Sequence, residues 1–280
     1  MTSEKSVQIA APMAENRFAS NSRRYEKIRV ERSGPVETIT LCNRARRNAI
    51  GSMMVNELLY AVDDALAADD VRVIVLTGDG DAFCSGGDFS DIGGDAYSLS
   101  LPFRGDYADL LLALVRSEKP VIARVNGHAM GGGLGLVAAS TFAIGTREAL
   151  FGTPEIHVGL FPMMIMAVLA RIVPRRRLLQ MIVLGEKISA EEAHRLGIVG
   201  HVVVHEELDA HVERLAQDLA AKSPTAMRLG LRAFADQDGV KLREALPMLR
   251  GRLVDCLGTD DAREGMTAFL EKRVPVWSGK

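Results

Sequence analysis

Three short segments of the chain hold the residues whose types and spacing could do chemistry. They are "AFCSGGDFSDI" (82–92), "VNGHAMGGGLGL" (125–136) and "FGTPEIHVGLFP" (151–162). The first two each follow a buried-looking strand and open toward a helix. Such turns present free backbone N–H groups, and helix N-termini favour negative charge. Glycine lets a ligand approach those groups. Two such turns on neighbouring strands could aim two N–H groups at one oxygen, which an oxyanion hole requires. The third segment places Glu155 directly after Pro154, among small and apolar neighbours. A carboxylate in such surroundings has a raised pKa, which suits proton transfer near neutral pH.

Each segment has a plainer reading. Glycines after strands also serve tight turns and close helix–sheet packing. Asp88 and Ser90 also read as helix caps, and for Asp88 taken alone the cap is the favoured reading. Glu155 could be a surface residue at a helix start, and His157 a packing residue. "GLGLVA" (133–138) fits the G-x-G-x-x-A fingerprint of a dinucleotide site, with Glu148 as an early acidic partner. Cys84 could be a thiol nucleophile, but a buried cysteine at a strand end is the stronger reading. No serine stands in a G-x-S-x-G elbow, and the six histidines form no HExxH pattern.

The elements that must position these segments alternate through the first two-thirds of the chain. "VETITL" (36–41) alternates as a strand, and 52–69 has helical spacing with Ser52 as cap and Met54, Leu58, Val62 and Leu66 on one face. "VRVIVLTG" (71–78) and "PVIARVNG" (120–127) are buried strands, and a helix is expected over roughly 103–117. "LGLVAAS" reads as a small-residue helix, and "TFAIGT" and "ALFG" as short strands. Beyond Pro162 the chain reads as helical, apart from 199–204. Ser189, Glu192 and Gly197 predict a capping box and a glycine stop. Residues 206–280 read as all-helical, with helices beginning near Pro224, Val240 and Thr259. The pattern is an α/β core with a helical C-terminal region.

Bulk properties set the outer limits. With 280 residues, 48% of them apolar, and a formal net charge of −2, the chain has material for one large core. Nothing in it predicts a nucleic-acid or membrane partner. Cys42, Cys84 and Cys256 are odd in number and widely spaced, which predicts reduced thiols and a cytoplasmic location. Residues 1–24 are polar and lack an apolar stretch, and Glu4 and Glu15 argue against a transit peptide. A disordered tail is expected there, followed by a core over 25–205 and the helical region over 206–280.

Taken together, the three segments stand in the order and spacing of the enoyl-CoA hydratase/isomerase family, the crotonase superfamily. The resemblance extends through "LGEKISAEEAHRLGIVGHVV" (184–203) to the ending "DDAREGMTAFLEKRVPVWSGK", and so covers about residues 25 to 280. It implies a spiral of repeated ββα units with a helical trimerisation region, assembling as a homotrimer or a hexamer. It implies an acyl-CoA thioester substrate and no metal or redox cofactor, coenzyme A entering only as part of the substrate. The oxyanion donors would be the N–H groups of Gly87 and Gly132, and the acid/base Glu155. Ser85, Gly87, Asp88, Phe89, Ser90, Gly132 and Pro154 would line the substrate. Arg46 and Arg47 in "RARRN" (44–48) resemble the loop beside the nucleotide end of CoA, where a solvated basic turn is the even alternative. Phe269 and Lys272 match a position that reaches the adenine end, within the chain or across a subunit boundary. Ser90 stands where the family often has a lysine that contacts CoA.

One departure bears on the reaction. The family's hydratases carry a second glutamate two residues after the glycine triplet, and here that residue is Gly135. Syn hydration conventionally uses both carboxylates, whereas one is enough to move a proton from the α to the γ carbon. The expectation is double-bond isomerisation or hydration with a single glutamate, His157 or Asp88 being weak candidates to assist with water. A non-catalytic acyl-CoA binder and a nicotinamide-dependent oxidoreductase using "GLGLVA" are the alternatives. The methionines of "GLFPMMIMAV" (159–168) suggest an apolar acyl pocket or plain core packing.

Overall fold

The computed structural model describes residues 23–88 and 101–280. The chain enters through a hairpin, β1 (Ile28–Ser33) and β2 (Val36–Leu41), paired antiparallel with Ser33 opposite Val36. The two-residue turn between them holds Gly34 at φ +56°, a left-handed conformation that favours glycine. The carboxylate of Glu57, buried on helix α1 (Ser52–Ala67), anchors this entry by accepting the N–H groups of Glu26 and Lys27, each at 2.8 Å.

Three ββα units follow. The first is β3 (Val73–Gly78), β4 (Ala82–Cys84) and α2 (Tyr107–Val115). The second is β5 (Val121–Val125), β6 (His128–Met130) and α3 (Gly132–Ala139). The third is β7 (Phe142–Thr146), β8 (Leu150–Gly152) and α4 (Met163–Leu169). Next come α5 (Arg175–Leu184), β9 (Lys187–Ser189), α6 (Ala190–Arg195) and β10 (His201–Val203). The first strand of every unit joins a six-stranded sheet, in the order β1-β2-β3-β5-β7-β10. The second strand joins a four-stranded sheet, in the order β4-β6-β8-β9. Neighbouring units are parallel in both sheets, so the chain advances one strand per turn of a spiral.

Strand periodicity divides the core. Ile74 and Leu76 of β3 face the main core with Leu58 and Val62 of α1 and Leu110 of α2. Val73 and Val75 face the other way, against Leu208, Val212 and Ala216 of α7 (Leu208–Ala220). A strand covered on both faces reads as one apolar run, as 71–78 does. Each fully buried aliphatic side chain contributes about 1.5–3 kcal/mol.

The C-terminal helices are α8 (Pro224–Asp236), α9 (Leu242–Leu257) and α10 (Asp260–Glu271). The expectation of helix up to residue 280 is corrected. Helix α10 ends at Glu271, Lys272 adopts φ +56°, and the remaining residues fold back along it. Asp261, 1% exposed, is the anchor of that fold-back. It accepts from the N–H of Ser278 at 2.8 Å, the N–H of Gly279 at 3.0 Å and the hydroxyl of Ser223 at 2.8 Å. Burial alone would raise its pKa, but these hydrogen bonds hold it below the usual carboxylate value. A depressed folded-state pKa contributes stability above the unfolded value, and that contribution is lost as pH falls through the folded value. Acidification below about pH 4 is therefore expected to loosen residues 272–280 in wild type. In Asp261→Asn they are loosened at neutral pH already, and amide hydrogen exchange at Ser278 and Gly279 reads the difference.

Other sequence expectations are refined. Gly51, extended, takes the cap position of α1, and Ser52 is its first helical residue. Helix α2 is capped by Asp106, whose box partner is Asp109. Only half of the Ser189 box forms. Ser189 accepts from the N–H of Glu192, but the Glu192 carboxylate turns to Arg177 at 2.7 Å.

Candidate active site

The spiral places the two glycine turns side by side, because β4 and β6 are neighbours in the small sheet. After β4 the chain makes an isolated parallel bridge between Gly87 and Ile50. Its hydrogen bonds are made by flanking groups: Ile50 N–H to Gly86 O at 2.8 Å, and Asp88 N–H to Ile50 O at 2.9 Å. In that pattern the N–H of Gly87 points away from Ile50, and among the described residues it has no acceptor. Among the described residues a Cβ at Gly87 would meet nothing within 4 Å, so packing against them does not demand glycine there.

After β6, Gly131 caps α3 at φ +48°, ψ −122°, and its N–H bonds the carbonyl of Gly152 at 2.8 Å. Gly132 is the first helical residue, and its N–H is one of the donors that a helix start leaves unpaired. The two turns touch: a Cβ on Gly86 would lie 3.8 Å from Gly131 Cα.

The third segment brings the carboxylate. Pro154 opens a 3₁₀ turn over Pro154–Val158, with buried Thr153 before it. Glu155 then reaches the glycine turn, its Oε1 lying 2.7 Å from where a Cβ on Gly131 would stand. Its Oε2 is buried and has no hydrogen-bond donor among the described residues. Burial raises the Glu155 pKa, opposed by its own backbone N–H. An acid/base group held without a dedicated partner is free to exchange its proton with a ligand. With Glu155 as the acid/base that the resemblance implies, Gly131→Ala should lower kcat/KM about 100-fold, because an added Cβ displaces the carboxylate and misplacement by about 1 Å costs that much. The same change should cost about 1–3 kcal/mol of stability for the strained backbone, read by denaturant unfolding.

Sequence reasoning missed the neighbour that fills the space over α3. The Tyr107 hydroxyl donates to the Gly132 carbonyl at 2.5 Å. A Cβ on Gly135 would lie 2.3 Å from Tyr107 Oη and 2.4 Å from Ile165 Cγ2. Tyrosine and isoleucine therefore occupy the space a side chain at 135 would need. Burial, then the nearby Cys84 and Glu155, raise the Tyr107 pKa well above its ordinary value. Cys84 is itself fully buried, with a thiol pushed up to about 12, and fits its side chain against Gly133. A thiol nucleophile at Cys84 is thereby set aside. The one signal for Tyr107 was "GDYAD", a capping aspartate that fixes the next residue at a helix start.

The basic loop lies beside the first turn. Ser85 Oγ donates to Arg46 O at 2.8 Å, and Ser85 N–H to Arg47 O at 2.9 Å. Arg46 pairs with Asp88 at 2.9 Å while keeping 54% of its side chain exposed. Arg47 is exposed and left-handed at φ 50°. Phe89 and Ser90 lie outside the described residues. The His157 ring lies against Gly185 at the end of α5. Phe269, 83% exposed, and Lys272 stand at the far end of α10, which packs on α8 and α9. They are not among the groups gathered around Glu155.

The dinucleotide reading does not fit this geometry. Its first two glycines belong in the turn ahead of a helix, but Gly133 and Gly135 both lie inside α3, closed over by Cys84, Tyr107 and Ile165. Among the described residues, no helix is long and apolar enough to cross a membrane.

Comparison with known proteins identifies a family and its fold. Residues 31–280 match the family model described as enoyl-CoA hydratase/isomerase. Enoyl-CoA hydratase domain-containing protein 3, mitochondrial, from Rattus norvegicus is 32% identical over 274 residues, covering 98% of this chain and 88% of the rat protein. The crystal structure of the human enoyl coenzyme A hydratase domain-containing protein 3 superposes with a TM-score of 0.84 at 32% identity, covering 90% of this chain and 100% of that one. An enoyl-CoA hydratase subunit structure from Geobacillus kaustophilus gives a TM-score of 0.83 at 35% identity, covering 91% and 99%.

Proposed function

The chain belongs to the enoyl-CoA hydratase/isomerase family, and from that premise we propose that it moves a proton on an acyl-CoA thioester with one carboxylate, Glu155. The N–H groups of Gly87 and Gly132 receive the thioester oxygen. Glu155 removes a proton from the α carbon of a 3-enoyl-CoA, and the electron pair passes into the carbonyl. The resulting dienolate oxygen is held by the two N–H groups. The Glu155 carboxylic acid, which exchanges its proton with water, then delivers a proton to the γ carbon, which leaves a 2-enoyl-CoA. Preorganised donors of this kind are each worth about 100- to 1,000-fold in rate.

The observation that carries the reading is the space over Gly135. Tyr107 and Ile165 fill it, which among the described residues leaves Glu155 as the carboxylate at the Gly131 turn and favours proton relocation over hydration by a pair of acids. A 3-enoyl-CoA and a 2-enoyl-CoA panel incubated with the protein and followed by proton NMR tests it. Migration of the double bond is expected to outpace formation of a 3-hydroxyacyl-CoA. A faster hydration product would reverse the assignment, and binding of CoA thioesters with no turnover would favour an acyl-CoA binder.

Because the base form of Glu155 starts the reaction, kcat/KM should rise with pH through the Glu155 pKa. Burial raises that pKa, so the acidic limb of the pH–rate profile should lie above the ordinary glutamate value of about 4.3.

Arg46 and Arg47 serve the CoA phosphates beside the first turn, and Ser85, Asp88, Phe89, Ser90 and Pro154 the thioester arm. Phe269 and Lys272 serve the adenine end of a neighbouring subunit's ligand. The exposure of Phe234 (72%), Leu242 (73%) and Leu246 (58%) supports burial in a homotrimer or a hexamer. The mechanism needs no metal or redox cofactor. The three free thiols support a reducing compartment; our reading is the cytoplasm, while the printed name of the rat relative places that protein in mitochondria.

A further inference from the structure

We infer that Tyr107 is a positioning residue of this site, its hydroxyl clamping the first turn of α3 through the Gly132 carbonyl and so directing the Gly132 N–H. The inference rests on the reading of Gly132 as an oxyanion donor.

The turn needs a clamp. Helix α3 is eight residues long, and Gly132, Gly133 and Gly135 fall within its first four, directly after Gly131. Glycine costs about 1 kcal/mol each in a helix relative to alanine because it frees the unfolded backbone. A donor is useful to a developing oxyanion only if its direction is fixed before the charge appears. The glycines that admit a ligand therefore weaken the element that must aim the N–H.

Tyr107 is itself held firmly. As the first residue of α2 it follows the cap Asp106, which accepts from Ala108 N–H at 2.8 Å and Asp109 N–H at 3.2 Å. The Asp109 carboxylate returns to Asp106 N–H at 2.9 Å. The residues just before are tied to α1. Asn56 donates to Pro102 O at 3.0 Å and accepts from Arg104 N–H at 2.6 Å, and Arg104 pairs with Asp63 at 2.7 Å. From this base the phenol reaches over α3, with Oη 3.5 Å from where a Gly132 Cβ would stand and 2.5 Å from Gly132 O. The phenol stays protonated in its buried setting, so it remains a donor.

Tyr107→Phe keeps the ring and removes the clamp. Two readouts test it: steady-state proton exchange with an enoyl-CoA, and the infrared carbonyl band of bound, carbonyl-labelled butanoyl-CoA. The expected result is a kcat about tenfold lower, the worth of one hydrogen bond, with KM within twofold. The carbonyl band of the bound thioester should move part of the way back toward its free position. A lower melting temperature with wild-type kcat and carbonyl band would reduce Tyr107 to packing and overturn the inference. So would a raised KM at unchanged kcat. If wild-type protein neither exchanges protons nor shifts the carbonyl band, the oxyanion reading of Gly132 falls and the role of Tyr107 falls with it.

Discussion

Replacing Glu155 with glutamine should lower turnover of an enoyl-CoA about 1,000-fold while leaving the dissociation constant of the thioester within a few-fold of wild type. The magnitude lies inside the range for a single positioned acid–base group. The argument is geometric. Glutamine has the shape of glutamate, so the side chain can keep its place over Gly131, where Oε1 now stands. Oε2 has no donor among the described residues, so its conversion to an amide breaks no internal hydrogen bond. The proton-transfer group is lost, and the N–H groups of Gly87 and Gly132 remain to bind the carbonyl. A mutation that lowers kcat and kcat/KM alike removes an interaction of the transition state. Steady-state kinetics beside calorimetric titration with a CoA thioester reads both numbers.

The second large effect is one of stability. Gly135→Glu should destabilise the fold by about 3 kcal/mol or more, at the upper end of overpacking costs. Gly135→Ala should cost less but remain clearly destabilising. The first added atom already falls 2.3 Å from Tyr107 Oη and 2.4 Å from Ile165 Cγ2. Ile165 is 3% exposed and has little room to yield. Tyr107 can withdraw only by releasing Gly132. The glutamate then adds a carboxylate in a space closed by Tyr107 and Ile165, where ionisation is disfavoured. Restoring the missing acid by this one substitution should therefore give a less stable protein and no gain in hydration. Urea unfolding of the three proteins orders them, and product analysis checks the chemistry.

The long apolar and alternating runs were legible in the sequence because burial writes its period into them. Strand β2 falls on Val36–Leu41 as read, and β3 and β5 fall inside the runs assigned to them. Three-residue strands carry too few residues to show a period. Strands β4 and β6 hid inside glycine-rich segments that read as loops, and β9 sat in a stretch read as helical. These are three of the four strands of the small sheet, the fourth, β8, lying in "ALFG" as read, and the pairing of β4 with β6 brings the glycine turns together. The glycines and Glu155 were readable one segment at a time, but their proximity depends on sheet order. Tyr107 was invisible for the same reason, since its hydroxyl meets a carbonyl 25 residues away. The fingerprint at 133–138 misled because a spacing of glycines does not say whether they precede a helix or lie within it.

The most direct measurement is deuterium incorporation at the α carbon of a 3-enoyl-CoA in D2O, followed by proton NMR with wild-type protein and Glu155→Gln side by side. Glu155-dependent exchange, accompanied by deuterium at the γ carbon of the migrated product, is the result this mechanism predicts. Equal exchange in the two proteins would show that another group takes the proton and would contradict it.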